Sequence, residues 1–195
     1  TLATLSASGN RKVQAGFEPL VQGFLRVPYN DIQAIRDLIA HHHNIVAILV
    51  EPVQGEGGVQ IPDPTYLPQL RTICTEQRWL LMLDEVQTGI GRCGHWFAYQ
   101  QYNILPDVLT SAKALGNGIP IGACLASGEA AHLMSAGKHG STFGGNPLSC
   151  HVALAVLNTI QQDNLLQRAN VLGELFSQYF QQHLQGTPGV VSIRG

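Results

Sequence analysis

Apolar residues recur along this chain with two alternating periods. Ile32, Ile35, Leu38 and Ile39 fall on one helical face behind Asn30 and Asp31, either of which predicts an N-cap. Ile45-Val46-Ala47-Ile48-Leu49-Val50 follows as an unbroken apolar run, the pattern of a strand covered on both faces. Asp63-Pro64 predicts the start of a helix with Leu67, Leu70, Ile73 and Cys74 on one side. Leu80-Leu81-Met82-Leu83 reads as a second buried strand, ending at Asp84. Short strands are expected at Val108-Leu109-Thr110 and Ile121-Gly122-Ala123-Cys124-Leu125, with a helical segment from His95 to Tyr102 before the first. From Leu148 to about Leu184 apolar residues keep helical spacing, and Gln162-Asp163-Asn164 predicts a break between two helices. Val190-Val191-Ser192-Ile193 has the pattern of a further strand.

Strands alternating with helices place the chain in the α/β class, with a mainly parallel sheet and flanking helices. In such sheets ligands collect at the carboxyl ends of strands. Glu51, Asp84, Ser111 and Lys113 stand at or just past three of those ends, so the pattern predicts one shared crevice.

Composition narrows the function classes. Hydrophobic residues make up 45% of the chain, enough for a buried core. Charged residues make up only 12%, about half of the usual ~25%, which points to a subunit contact. A net charge of −2 with no basic block gives nucleic acid and anionic membrane nothing to bind. Every apolar run is shorter than the ~18 residues that predict a membrane span, and no signal peptide is visible. Cys74, Cys93, Cys124 and Cys150 are widely spaced without a CxxC pair, so reduced thiols in the cytoplasm are expected rather than zinc or disulfides. Thr1 is not a start methionine, Ser6-Ala7-Ser8-Gly9-Asn10 reads as a loop already under way and the last residues stop as a strand begins, so the chain is expected to be an excerpt of a longer polypeptide.

The chemistry concentrates in a few positions. Of the three lysines, Lys12 and Lys138 sit in polar or glycine-rich segments, while Lys113 lies among apolar and small residues. Partial burial would keep such an amine neutral and nucleophilic; a lysine snorkelling outward from a strand end is the plain alternative. Asp84 suits a carboxylate that holds a heteroaromatic nitrogen protonated, with a turn cap or a magnesium ligand as alternatives. The magnesium option loses ground because the chain has no GxxxxGK[ST] loop. Glu85, the next residue, is expected to point the other way. Gly55-Glu56-Gly57-Gly58 reads first as a tight turn, from which Glu51 and Glu56 can reach a crevice. Ser141 and Thr142, among glycines ahead of a helix starting at Asn146-Pro147, offer hydroxyls and bare amides to a phosphate, or form a flexible loop. His41-His42-His43 ends a helix, where consecutive side chains diverge too far to share a metal ion, and no metal site is expected. Cys74, Cys124 and Cys150 are expected in apolar cores and Cys93 near a site.

Four runs taken in order are specific: EPVQGEGG at 51–58, LDEVQTGIGR at 83–92, SAKALGNG at 111–118 and HGSTFGGNP at 139–147. Together with QAGFEP at 14–19 they resemble the class III (ornithine-aminotransferase-like) pyridoxal phosphate enzymes, the acetylornithine branch above all, over essentially the whole chain. The resemblance implies the fold type I architecture of pyridoxal phosphate transferases. Residues 1–146 would be a partial cofactor-binding large domain, and 147–195 interdomain helices and the start of a small domain. It further implies a homodimer with shared active sites, a small-molecule amino donor and 2-oxoglutarate as acceptor. Lys113 would match the lysine that carries the cofactor as a Schiff base, Asp84 the partner of the pyridine nitrogen, Val86 the residue against the ring face, and Gln87 a contact of the ring's phenolic oxygen. Thr142 would bind the cofactor phosphate of the partner subunit, Ser141 would stand close to the substrate, and Glu56 would match the glutamate that pairs with a distant arginine. The family's phosphate loop, stacking aromatic and substrate-binding arginines have no counterpart within these residues.

Overall fold

The computed structural model describes residues 1–195, which divide into two compact units, Thr1–His43 and Asn44–Gly195. The first unit holds α1 (Leu2–Ala7), α2 (Arg11–Gln14) and α3 (Ile32–His41). Buried Gln14 ties the short helices together by donating from Nε2 to the Leu5 and Ser8 carbonyls at 3.2 and 2.7 Å. The cap of α3 resolves to Asp31, whose Oδ1 accepts the Ala34 N–H at 2.9 Å. Asn30 instead takes a left-handed turn at φ 64°.

The second unit is built on a four-stranded sheet in the order β1 (Ala47–Val50), β2 (Leu80–Asp84), β3 (Val108–Ser111), β4 (Ala123–Ala126). The first three strands are parallel, and β4 runs antiparallel to β3. The α/β class and the mainly parallel sheet are as the pattern predicts. Helix α4 (Tyr66–Gln77) makes the crossover from β1 to β2 and buries Tyr66, Leu67, Leu70, Ile73 and Cys74. Leu81 and Leu83 of β2 are fully buried, and in register with Ile48 and Val50 of β1 they form the packed face of the sheet. Asp107 starts β3 by accepting the Leu81 N–H at 2.7 Å, and the same oxygen receives Arg71 of α4 at 2.7 Å.

Several expectations change. The run at 45–50 is not covered on both faces: β1 is an edge strand, Leu49 is 48% exposed and Val46 74% exposed. Edge position also leaves Cys124 of β4 exposed instead of in a core, while Cys150 is half-buried. The segment at 95–102 narrows to a 3-10 helix at Ala98–Tyr102. Residues 190–195 form no strand, since no neighbouring strand pairs with them.

Helix α5 (Glu129–Leu133) leads into an exposed loop, then α6 (Pro147–Gln162) and α7 (Leu165–Leu184). Asn146 caps α6 by accepting the Ser149 N–H at 3.0 Å, and Pro147 occupies its first turn. The break falls at 163–164, where Asn164 is left-handed. Ala153 of α6 joins Ile90 and Leu115 in a second core, with Val156, Leu157 and Ile160 packed around it. Helix α7 buries none of its residues.

Replacing Leu81 with alanine is expected to cost about 2–5 kcal/mol in urea unfolding, against less than about 1 kcal/mol for Leu49→Ala. Burial pushes the Cys74 thiol up to about 12, so its thiolate forms only near that pH. Iodoacetamide at pH 8 should therefore alkylate exposed Cys124 well before Cys74, as peptide mapping will read.

Candidate active site

The carboxyl ends of β2 and β3 bring the candidate residues together because those strands pair in parallel with Asp84 opposite Thr110. Side chains paired in this way stand on one face. Thr110 Oγ1 accordingly donates to Asp84 Oδ1 at 3.1 Å, and the same oxygen accepts the Val86 N–H at 3.0 Å. Both bonds fall on Oδ1, so Oδ2 is left to accept from a ligand. Thr110 is a site residue that sequence reasoning missed; the pairing of two strands, not any local motif, puts its hydroxyl on the carboxylate.

Past Asp84 the chain turns through 85–89, closed by the Gly89 N–H donating to the Glu85 carbonyl at 2.8 Å. Gln87 stands exposed on this turn, and Lys113 Nζ donates to its Oε1 at 2.5 Å. Gly55 packs directly against Gln87: a Cβ there would lie 2.8 Å from Gln87 Cγ. The glycine of the 51–58 run is thus a close-approach position. Glu51 holds the turn from the other side, accepting the Gly55 N–H on Oε2 at 3.2 Å.

Lys113 itself is exposed, against the expectation of partial burial. What is buried is the turn behind it: Leu115 lies in the second core, and Ala114 packs on that core. Lys113 adopts φ +43°, a left-handed conformation that costs an ordinary side chain of order 1 kcal/mol or more. Its carbonyl accepts the Gly116 and Asn117 N–H groups at 3.1 and 3.2 Å, and Gly116 has no room for a Cβ, which would meet the Ile119 carbonyl oxygen at 2.0 Å. A strained lysine on a fixed turn with its amine over a hydrogen-bond acceptor is an arrangement for presenting that amine.

The structure gathers Asp84, Val86, Gln87 and Lys113 with Gly55 and Thr110. It does not gather all the expected residues. Ser141 and Thr142 lie on an exposed loop and share no hydrogen bond with Asp84, Gln87 or Lys113; Ser141 Oγ accepts the Gly144 N–H at 3.0 Å. Glu56 is exposed at the tip of the 54–60 hairpin, which reciprocal Gln54–Gln60 backbone bonds of 3.1 and 3.0 Å hold shut. Cys93 is half-buried, and burial, with Glu85 nearby, pushes its thiol up.

The donor set suits a ring that carries an aldehyde and a basic nitrogen. Lys113 brings an exposed primary amine, and Asp84 has an uncommitted carboxylate oxygen on the neighbouring strand end.

The model of the family Aminotransferase class-III matches residues 1–195. The acetylornithine aminotransferase of Nitrosomonas europaea is 54% identical across all of this chain and half of its own length. That of Methanothermobacter thermautotrophicus is 46% identical over the same shares. Among solved structures, the ornithine aminotransferase of Toxoplasma gondii superposes on all of this chain and 47% of its own, with TM-score 0.95 at 36% identity. The acetylornithine aminotransferase of Elizabethkingia anophelis matches 82% of this chain and 40% of its own, with TM-score 0.78 at 44% identity. The chain spans about half the length of the curated relatives it matches.

If Gly55 holds the Gln87 carboxamide in place, Gly55→Ala should break the Lys113–Gln87 bond while lowering stability by no more than about 1.5 kcal/mol. Urea unfolding reads the second quantity, and the Gln87 side-chain amide resonance reads the first.

Proposed function

Since the chain belongs to the class-III aminotransferase family, whose cofactor is pyridoxal phosphate, we propose that it carries the catalytic centre of an acetylornithine aminotransferase. The reaction is transfer of the side-chain amino group of N-acetylornithine to 2-oxoglutarate, giving N-acetylglutamate semialdehyde and glutamate. The observation that carries this reading is the Lys113 amine standing on Gln87 beside Asp84 at adjacent strand ends. The choice of donor rests on the 54% and 46% identities to acetylornithine enzymes.

When bound, pyridoxal phosphate supplies an aldehyde carbon and an electron-withdrawing ring that acidify the donor's amine-bearing carbon. The residues of this chain do the rest. Lys113 Nζ would hold the cofactor through its aldehyde carbon, and, once freed, its amine would take up the proton of the donor's amine-bearing carbon and give it back on the other side of the transfer. Asp84 would keep the ring nitrogen protonated through Oδ2, its Oδ1 being fixed by Thr110 and Val86. Gln87 accepts from the lysine amine at 2.5 Å and would hold the ring's phenolic oxygen, and Val86 would stand at the ring face. Thr142 would bind the phosphate of a partner subunit's cofactor, Ser141 would stand near the substrate, and Glu56 would pair with a distant arginine. The enzyme works as a cytoplasmic homodimer; exposed Phe143 and Leu148, 79% and 67% accessible beside Thr142, supply apolar surface for a second copy. No helix is long and apolar enough to cross a membrane.

Ornithine as donor is the second reading, favoured by the TM-score of 0.95 to an ornithine aminotransferase. Rates with the two donors separate these readings, and turnover without 2-oxoglutarate would indicate an aminomutase instead.

Borohydride trapping with pyridoxal phosphate, followed by peptide mapping, is the direct test of the centre. It should leave a pyridoxyl group on Lys113, in this chain or in a longer polypeptide containing it, and a specific adduct on another lysine would refute the assignment. Lys113→Ala should lower turnover by at least about 10²–10⁴-fold, and Asp84→Asn by a similar order with cofactor still bound.

A further inference from the structure

Glu85 follows Asp84 directly, yet the mechanism above gives it nothing to do. It is fully buried. Its N–H continues the β2–β3 ladder by donating to the Thr110 carbonyl at 3.0 Å, so its side chain falls on the sheet face opposite to Asp84. There both carboxylate oxygens are engaged. Oε2 accepts the Thr88 hydroxyl at 2.5 Å and the Ala98 N–H at 2.9 Å, and Oε1 accepts the Tyr99 N–H at 2.9 Å. One side chain therefore spans both ends of the 85–98 loop, joining its first turn to the start of the 3-10 helix at Ala98–Tyr102.

The loop between those ends has little slack. A Cβ on Gly89 would lie 2.7 Å from the Glu85 carbonyl oxygen and 3.0 Å from Phe97 Cδ1. Gln87 stands on the segment that Glu85 and Thr88 close, and it receives the Lys113 amine. A buried carboxylate that satisfies three donors fixes its surroundings strongly, because removing it strands those donors away from water.

We propose that Glu85 is a positioning residue: its buried carboxylate closes the 85–98 loop from the far face of the sheet and thereby holds the Gln87 carboxamide against the Lys113 amine. Two neighbouring carboxylates then serve one centre from opposite faces, Asp84 by contact and Glu85 through Gln87. The aminotransferase reading enters only in what Lys113 does; the hold on Gln87 stands on geometry alone.

The test uses Glu85→Gln, with Thr88→Val as a milder variant and Gln87→Ala as the comparator. In Glu85→Gln a carboxamide N–H₂ replaces one acceptor oxygen and must face a donor. Amide exchange at Ala98 or Tyr99 should quicken at least about tenfold, the equivalent of one hydrogen bond. The Gln87 side-chain amide resonances should shift, and the rate at which pyridoxal phosphate and borohydride label Lys113 should fall to the Gln87→Ala level. The double variant Glu85→Gln/Gln87→Ala should label no more slowly than Gln87→Ala alone, while Gln87→Ala should leave Ala98 and Tyr99 protected. Should Glu85→Gln not fold, Thr88→Val should move the same Gln87 resonances by a smaller amount. Faster exchange at Ala98 and Tyr99 with unmoved Gln87 resonances would overturn the proposal and leave Glu85 a structural anchor only. Lys113 left unlabelled in the unaltered chain would count against the cofactor reading, and the Gln87 resonances would still decide the role of Glu85.

Discussion

The parallel pairing of β2 with β3, in the register that sets Asp84 opposite Thr110, is the constraint on which the candidate centre depends. It gives Asp84 a hydroxyl partner from a strand 26 positions away and commits one oxygen while leaving the other available. It also sets the level at which each strand ends, so that the turn after β2 and the turn after β3 rise beside each other. A slip of one residue would exchange the faces of every side chain on the strand, turning Asp84 into the packed layer and Leu81 and Leu83 out of it. The buried leucines, fully enclosed, make that slip expensive: burying each stabilises by roughly 1.5–3 kcal/mol.

The lysine turn shows how the rest of the unit is spent on one amine. A left-handed Lys113 is unfavourable by about 1–3 kcal/mol, and the chain holds it there by anchoring its neighbours. Leu115 is inserted among Ile90, Ala153 and the surrounding side chains of α6, and burial of one leucine is of the size needed to offset the strain. Gly116 permits the return of the chain under Ile119, where any side chain would collide. The amine stays exposed because the anchoring is done by residues on either side of it. Nucleophile and support are thus separate.

The later helices are held differently. Helix α7 buries no residue, yet its ring pairs are local: Phe176 stacks on Phe180 at 6.0 Å and Tyr179 on His183 at 4.1 Å, each one turn apart. A polar tie from it to the loop after β2 is Asn170, which donates from Nδ2 to the Gly94 carbonyl at 3.2 Å. A Cβ on Gly94 would lie 1.7 Å from Asn170 Oδ1, so only glycine admits that approach. The exposed apolar side chains of α6 and α7, among them Leu154, Leu175 and Phe176, follow the same helical period as buried ones do elsewhere.

By itself the sequence determined the α/β class, the order of the strands and helices from α3 through β4 and of the two last helices, and the helix break and caps to within a residue or two; it also placed Asp84 and Lys113 at neighbouring strand ends, and the family resemblance added Gln87. These are legible because each is carried by local signals: the period of apolar residues, a capping side chain, a motif of fixed spacing. The family resemblance rests on the same local runs. Only the tertiary structure decided which apolar residues are buried. Period distinguishes one face from another but not a covered face from an edge, so Leu49 and Cys124 read as core and stand exposed. Only the structure, too, could join Thr110 to Asp84 and show Glu85 closing a loop from the far face, because the first contact depends on the pairing of two strands and the second on how the 85–98 loop folds back. Lys113 shows both limits at once: its identity was written in the motif, while its exposed amine and left-handed backbone were set by the packing of the residues around it.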